Sequence, residues 1–304
     1  MHRAATPFEI VFLTNFSDAC FRAIPALAQL ADDIDVRLTL LHACGADVGR
    51  YAARTEDIRS FFAEADHYPA CRRLVTAEST LDALRRLQAE TPIDLVVAPA
   101  GDPLGLPRIG HSSLRSRLIQ EIAAPVWTCG HEVPARRLAR ATRHVACVLE
   151  VSQHGLAHVR LASTYASRMN ARLHLVQVIP DIDESSLLLA YDDWSTDKAR
   201  RAAIAAGAGE LLEEAVRVTD RRGLAQTLRA CDADIALLDG QPWITRQWLA
   251  DRVNPTLDAL PCPVIAVPSG HRDLAWQLNP SRRIVAPAAL RATGEQQPAL
   301  SPVN

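Results

Sequence analysis

Apolar residues along this chain follow two alternating patterns. Short, nearly unbroken runs give way to longer stretches in which apolar positions recur every three or four residues, the spacing of one helix face. The first run, Glu9-Ile10-Val11-Phe12-Leu13, passes through Thr14-Asn15-Phe16 to Ser17, and Ala19, Ile24, Leu27 and Leu30 then line a helix. The figure returns as His144-Val145-Ala146-Cys147-Val148-Leu149-Glu150-Val151-Ser152, with Leu156, Val159, Leu161 and Tyr165 behind it. Ser17 and Ser152 stand 135 positions apart. Both are predicted N-caps, with hydroxyls placed to accept from an orphan amide of the first helical turn.

The repeat extends further. Val36-Arg37-Leu38-Thr39-Leu40-Leu41-His42 matches Ala171-Arg172-Leu173-His174-Leu175-Val176-Gln177, and Ile93-Asp94-Leu95-Val96-Val97-Ala98 matches Ala233-Asp234-Ile235-Ala236-Leu237-Leu238. Pro125-Val126-Trp127 and Pro263-Val264-Ile265-Ala266-Val267 close the two copies. Strands this apolar are covered on both faces, and their alternation with helices predicts parallel sheets joined by right-handed crossovers. The predicted fold class is α/β: two tandem, doubly wound, Rossmann-like domains over residues 1–133 and 141–270. Between the copies, Pro134-Ala135-Arg136-Arg137-Leu138-Ala139-Arg140 is expected to be a solvated basic connector. Residues 271–304, with Pro280, Pro287, Pro298 and Pro302 amid Ala, Gln and Ser, are expected to form an extended tail, mobile at its end.

A chain of 304 residues suits two domains of ~100–200 residues each. The formal net charge of -2 sets up no global field to draw the protein to nucleic acid or an anionic membrane. The seven cysteines, Cys20, Cys44, Cys71, Cys129, Cys147, Cys231 and Cys262, include no CxxC pair. They are predicted to be free thiols in a reducing compartment rather than a disulfide framework or a zinc site. No apolar run approaches the ~20 residues that span a bilayer, and Met1-His2-Arg3 leads into the first strand with no room for a signal peptide. The expected location is the cytoplasm.

Three features together resemble the universal stress protein family, from about Phe8 to Pro268. They are the opening strand, loop and capped helix; the Leu40-Leu41-His42 ending of the second strand; and a closing small residue-Pro-Val before the last strand, as in Ala124-Pro125-Val126 and Cys262-Pro263-Val264. The resemblance implies an adenine nucleotide alpha hydrolase-like fold in which closing strands pair edge to edge. Here Pro125–Cys129 and Pro263–Pro268 would pair within one chain, giving an intramolecular pseudo-dimer. In nucleotide-binding members an aspartate ending the first strand recognises adenine. A Gly-x-x-Gly loop after strand four, followed nine residues later by Gly-Ser or Gly-Thr, cradles the phosphates through close-lying amides.

This sequence departs from that pattern in both copies. Asn15 and Glu150 hold the adenine position. Pro99, Asp102 and Ser112 fall on the glycine positions, with Ser113 at the hydroxyl site; proline has no amide to donate, and a carboxylate repels phosphate. In the second copy the run from Asp239 to Trp248 is shorter and bulky, and Ala250 and Asp251 replace Gly-Ser. The resemblance therefore implies a non-catalytic stress-response regulator with degenerate nucleotide sites and an unidentified protein partner. It implies no enzyme, metal, resident cofactor, nucleic acid or membrane, and leaves open homodimerisation of the tandem chain. The alternative is an ATP-binding sensor with slow hydrolysis in the first copy. There Gly101, Gly105, Gly110, Ser112 and Ser113 would form the phosphate loop, with Asn15 and His42 beside it.

Other candidates have plainer readings. His154 and His158, four apart, share a helix face and are expected to be a partly exposed surface pair. The acidic stretch from Asp181 to Asp197 lacks the glycine turn of a calcium loop, and Leu187, Leu188 and Leu189 within it suggest a flap. Trp243 and Trp248 either fill the vacated pocket or offer a stacking surface. His42 ends a strand beside the ligand-binding crevice of such sheets, but no serine or cysteine nucleophile is placed to complete a catalytic set.

Overall fold

The computed structural model describes residues 8–33, 36–43, 71–99, 114–130, 133–150, 157–179, 197–213, 216–220, 222–240 and 259–268. The first half supplies strands β1 (Phe8–Leu13), β2 (Val36–Ala43), β3 (Cys71–Thr76), β4 (Leu95–Val97) and β5 (Val126–Thr128). The second supplies β6 (His144–Glu150), β7 (Arg172–Ile179), β8 (Arg217–Asp220), β9 (Ile235–Asp239) and β10 (Val264–Val267). They form one ten-stranded sheet in the order β3-β2-β1-β4-β5-β10-β9-β6-β7-β8. Within each half every pairing is parallel, and the two halves carry the same strand order. The halves meet where β5 and β10 pair antiparallel, with Ile265 opposite Trp127. Each closing strand thus covers the other's open edge.

The apolar runs are unbroken because helices cover both sheet faces. Phe8, Ile10 and Phe12 share a sheet face and a core cluster with Cys20, Ala23 and Leu27 of the helix Asp18–Asp33, and the cluster continues in the second half through Val159, Leu161 and Tyr165 of Ala157–Met169. Val11 and Leu13 lie on the other face, in a cluster with buried residues of Thr80–Glu90 and Leu114–Glu121 that continues in the second half to Leu224 and Leu228 of Leu224–Ala230. Ser79 caps the helix Thr80–Glu90, its hydroxyl accepting from the Asp82 amide at 3.2 Å.

Two elements escape the hydrophobic pattern. β3 reads Cys-Arg-Arg-Leu-Val-Thr and β8 reads Arg-Val-Thr-Asp. They are the outer edges of the sheet, where Val75 and Val218 are exposed; edge strands tolerate charge because fewer neighbours desolvate them.

The basic connector is exposed at Pro134, Ala135, Arg136, Ala139 and Arg140, as expected, but it is also anchored at Arg137 and Leu138. Ala135–Leu138 is a short helix with Leu138 buried in the core. Arg137 Nη2 donates to the Ala233 carbonyl at 2.9 Å and to Asp232 at 3.3 Å, and Arg140 Nη2 donates to Asp232 at 2.8 Å. Arg137 and Arg140 thereby bind the entry to β9, while Arg136 is exposed.

Candidate functional site

In parallel sheets of this kind ligands sit at the carboxyl ends of the strands, at the point where the strand order reverses. In the first half that point lies between β1 and β4. The Thr14 amide donates to the Leu41 carbonyl at 2.9 Å, fixing the exit of β1 against β2. Next, the Phe16 amide donates to Thr14 Oγ1 at 3.0 Å and the Ser17 amide to Asn15 Oδ1 at 3.1 Å. These two side-chain turns bend the chain so sharply that Phe16 sits at φ 59°. A bulky residue rarely adopts that left-handed region, at a cost of about 1–3 kcal/mol. Burial holds it there, with the Phe16 ring 4.5 Å from the His42 ring.

His42 Nδ1 lies 2.7 Å from the Thr14 carbonyl oxygen. A carbonyl only accepts, so the proton sits on Nδ1 and the ring's tautomer and orientation are set by the β1 exit. Asn15 Oδ1 takes the Ser17 amide and lies 3.2 Å from Cys20 Sγ. Ser17 enters the helix as expected, but its hydroxyl points to Cys20 Sγ at 3.7 Å instead of accepting from an amide. Its carbonyl accepts from the Cys20 and Phe21 amides. Asn15 and His42 are therefore brought to one crevice. Pro99 follows β4 at its rim, whereas Gly101, Gly105, Gly110, Ser112 and Ser113 lie outside the described residues. So do Asp102, Ser152, His154, Trp243, Trp248, Ala250, Asp251, Cys44, the Leu187–Leu189 patch and the tail.

The corresponding place in the second half has different chemistry. Glu150 ends β6 and Asp239 ends β9, the latter buried. His158, in the first turn of Ala157–Met169, is 1% exposed, and its Nε2 has no hydrogen-bond partner among the described residues. The expectation of a surface histidine was wrong. The ring packs against the sheet, where burial holds its pKa down to about 4 against the opposing attraction of Asp239. A signal was present in the sequence: His158 lies four residues before Ala162 and seven before Tyr165, on the apolar stripe itself. In the first half Ala23 and Pro99 occupy the matching positions, so this His–Asp pair belongs to the second half alone.

Cys20, Cys71, Cys129, Cys147, Cys231 and Cys262 are free thiols. Burial pushes the Cys147 thiol above its ordinary range and Cys262 up to about 12, so neither ionises near neutrality. Among the described residues no group of three or more His, Cys, Asp or Glu is arranged to hold a metal ion, and no helix is long and apolar enough to cross a membrane.

No family model matches the sequence, and no curated protein matches it significantly. Solved structures do match. A universal stress protein from Archaeoglobus fulgidus DSM 4304 superposes with a TM-score of 0.61 at 10% identity, over 86% of this chain and 96% of that one. A protein of Pseudomonas aeruginosa UCBPP-PA14 assigned to the universal stress proteins gives 0.53 at 15% identity, over 87% and 94%. The cytoplasmic domain of a prokaryotic cation chloride cotransporter gives 0.54 at 10% identity, over 90% and 100%. Identities this low speak to fold alone. The chain has the universal-stress-protein fold, an α/β architecture on a mostly parallel sheet.

Proposed function

We propose that this protein is a non-catalytic stress-response regulator, built from two universal-stress domains in tandem (1–133 and 141–270) whose closing strands make an intramolecular pseudo-dimer. It acts by binding a protein partner or ligand, without nucleotide turnover. The observation that carries this reading is the state of Asn15. Its one acceptor oxygen is engaged by the Ser17 amide at 3.1 Å, with the Cys20 thiol alongside, so the side chain holds its own loop together. An adenine amino group would have to displace an internal turn. In the second half the buried Asp239 puts a carboxylate at the end of β9, where phosphate oxygens would meet like charge. On this reading the protein works in the cytoplasm, with no nucleic acid and no resident cofactor.

Titration calorimetry of the full chain with ATP, ADP and cyclic AMP tests it. The expected result is no heat of binding at micromolar ligand for any of the three. Micromolar ATP affinity abolished by Gly105→Val or Ser113→Ala would overturn the proposal in favour of an ATP sensor, as would a nucleotide that co-purifies with the chain.

A further inference from the structure

Away from that crevice, the amino ends of β6 and β7 hold two histidines side by side. The ladder sets His144 opposite Arg172 and Ala146 opposite His174. The two histidines are thus diagonal neighbours on one sheet face, the face they share with Ala146 and Val176. His144 Nδ1 lies 3.0 Å from His174 Nε2, with the ring centroids 5.3 Å apart and the planes inclined by 23°. A hydrogen bond between two imidazoles needs one facing nitrogen protonated and the other bare. Either ring can donate, but both cannot. A second proton turns the bond into N–H against H–N.

The surroundings give that second proton little help. Arg172 on β7 and Arg217 on β8 add positive charge. The nearby carboxylates are already engaged. Glu213, after the turn Gly209–Leu211, pairs with Arg172 at 3.0 Å. Asp232, after the helix Leu224–Ala230, takes Arg140 at 2.8 Å and Arg137 at 3.3 Å. Asp234, ahead of β9, takes the Arg143 and His144 amides and lies 3.5 Å from Arg140 Nε. Cys231 is pushed by burial away from ionising. Burial first, then His144, hold His174 below the ordinary imidazole value, with Arg217 and Arg172 adding to the effect and Glu213 opposing it. No third His, Cys, Asp or Glu joins the pair in a metal-holding group among the described residues. The electrophile the pair takes is the proton.

We propose that the His144–His174 pair is a proton-operated catch on the joint between the linker and the second half. Closed, it keeps the root of β6 in register with β7. The amide of His144 then seats on Asp234, the carboxylate that Arg140 of the linker approaches. Doubly protonated, the pair separates, the root of β6 shifts, and the Asp234–Arg140 contact loosens with it. Mild acid would thereby free the linker from the second half while the body of the sheet stays folded.

Imidazole and backbone NMR of the full chain between pH 7.5 and 4.5 tests this. The expected result is that protonation of the pair runs in two steps, because its two facing nitrogens share one proton, with His174 taking up its proton below the ordinary histidine value of about 6.5. The Arg143 and His144 amides move with that second step and lose about tenfold in exchange protection. In His174→Gln the carboxamide still reaches His144 but does not titrate, so a single step remains and the two amides stay fixed through the range. His144→Gln gives the same outcome and stands in if the first variant does not fold. Two rings titrating independently at ordinary values would overturn the proposal. The same amide shifts persisting in His174→Gln or His144→Gln would overturn it as well.

Discussion

Asp94 and Asp234 occupy equivalent places in the two halves and hold the chain in the same way. Asp94 Oδ2 accepts from the Glu9 amide at 2.8 Å, while Asp234 Oδ2 accepts from the Arg143 and His144 amides at 2.8 and 3.0 Å. Each aspartate also closes the loop from its own backbone, donating to the Glu9 and His144 carbonyls at 2.9 Å. The root of the first strand is thereby pinned to the root of the fourth, in both halves. Asp234→Ala strands two amides and should cost about 2–3 kcal/mol, and Asp94→Ala about 1–2 kcal/mol, by urea unfolding. Burial lifts the Asp94 carboxyl to about 6, so Asp94→Asn, neutral and still an acceptor, should cost less than Asp94→Ala.

A contact between the halves makes a second prediction. The Gly240 amide donates to the Val267 carbonyl at 2.7 Å, and a Cβ added at Gly240 would lie 2.8 Å from Ile119 Cγ2 and 3.3 Å from that carbonyl oxygen. Gly240→Ala should therefore destabilise by about 1–3 kcal/mol through overpacking. Ile119→Ala removes the methyl in the way, so the double variant should be less damaged than the sum of the singles. Strict additivity in that cycle would show that the halves do not touch there.

Acid sensitivity should come from His158. Its folded-state pKa is depressed, so below about 6.5 the unfolded chain takes up a proton that the folded chain refuses until about pH 4. The stabilisation is complete above pH 6.5 and drains away as pH falls through that window, by on the order of 3 kcal/mol. His158→Met should flatten this part of the stability–pH curve measured by thermal or urea unfolding. An unchanged slope would assign the effect elsewhere.

The linker arginines should contribute unequally. Arg140 makes an exposed ion pair with Asp232 and only a long 3.5 Å contact to the buried Asp234, and Arg140→Ala should cost less than about 1 kcal/mol. Arg137 also satisfies the Ala233 carbonyl. Arg137→Ala should cost about 1–2 kcal/mol, leaving that acceptor unmatched; equal costs would contradict this division.

The parts legible in sequence were those where one residue's environment is decided by its own neighbours in the chain. β1, β2, β4 to β7, β9 and β10 announced themselves as apolar runs, since burial on both faces forbids polar positions. β3 and β8 did not. An edge strand keeps one side toward water, and Arg72-Arg73 or Thr219-Asp220 fits a loop equally well. Ser79 and Asp82 carried a helix-start signal that the apolar pattern alone passed over.

The candidate site divides along the same line. Sequence placed Asn15 and His42 at strand ends, because their positions follow from the runs that precede them. It could not show that Asn15 spends its oxygen on Ser17, that Phe16 is forced to a left-handed φ, or that His158 is buried facing Asp239. Such facts depend on which strand lies beside which, and β9 reaches the helix of His158 only after the chain has returned from residues far away. Periodicity is a local property and fixed the α/β alternation. The pairing of β5 with β10, the docking of the linker on Asp232 and the meeting of His144 with His174 are set by register across distant segments, which only the folded sheet decides.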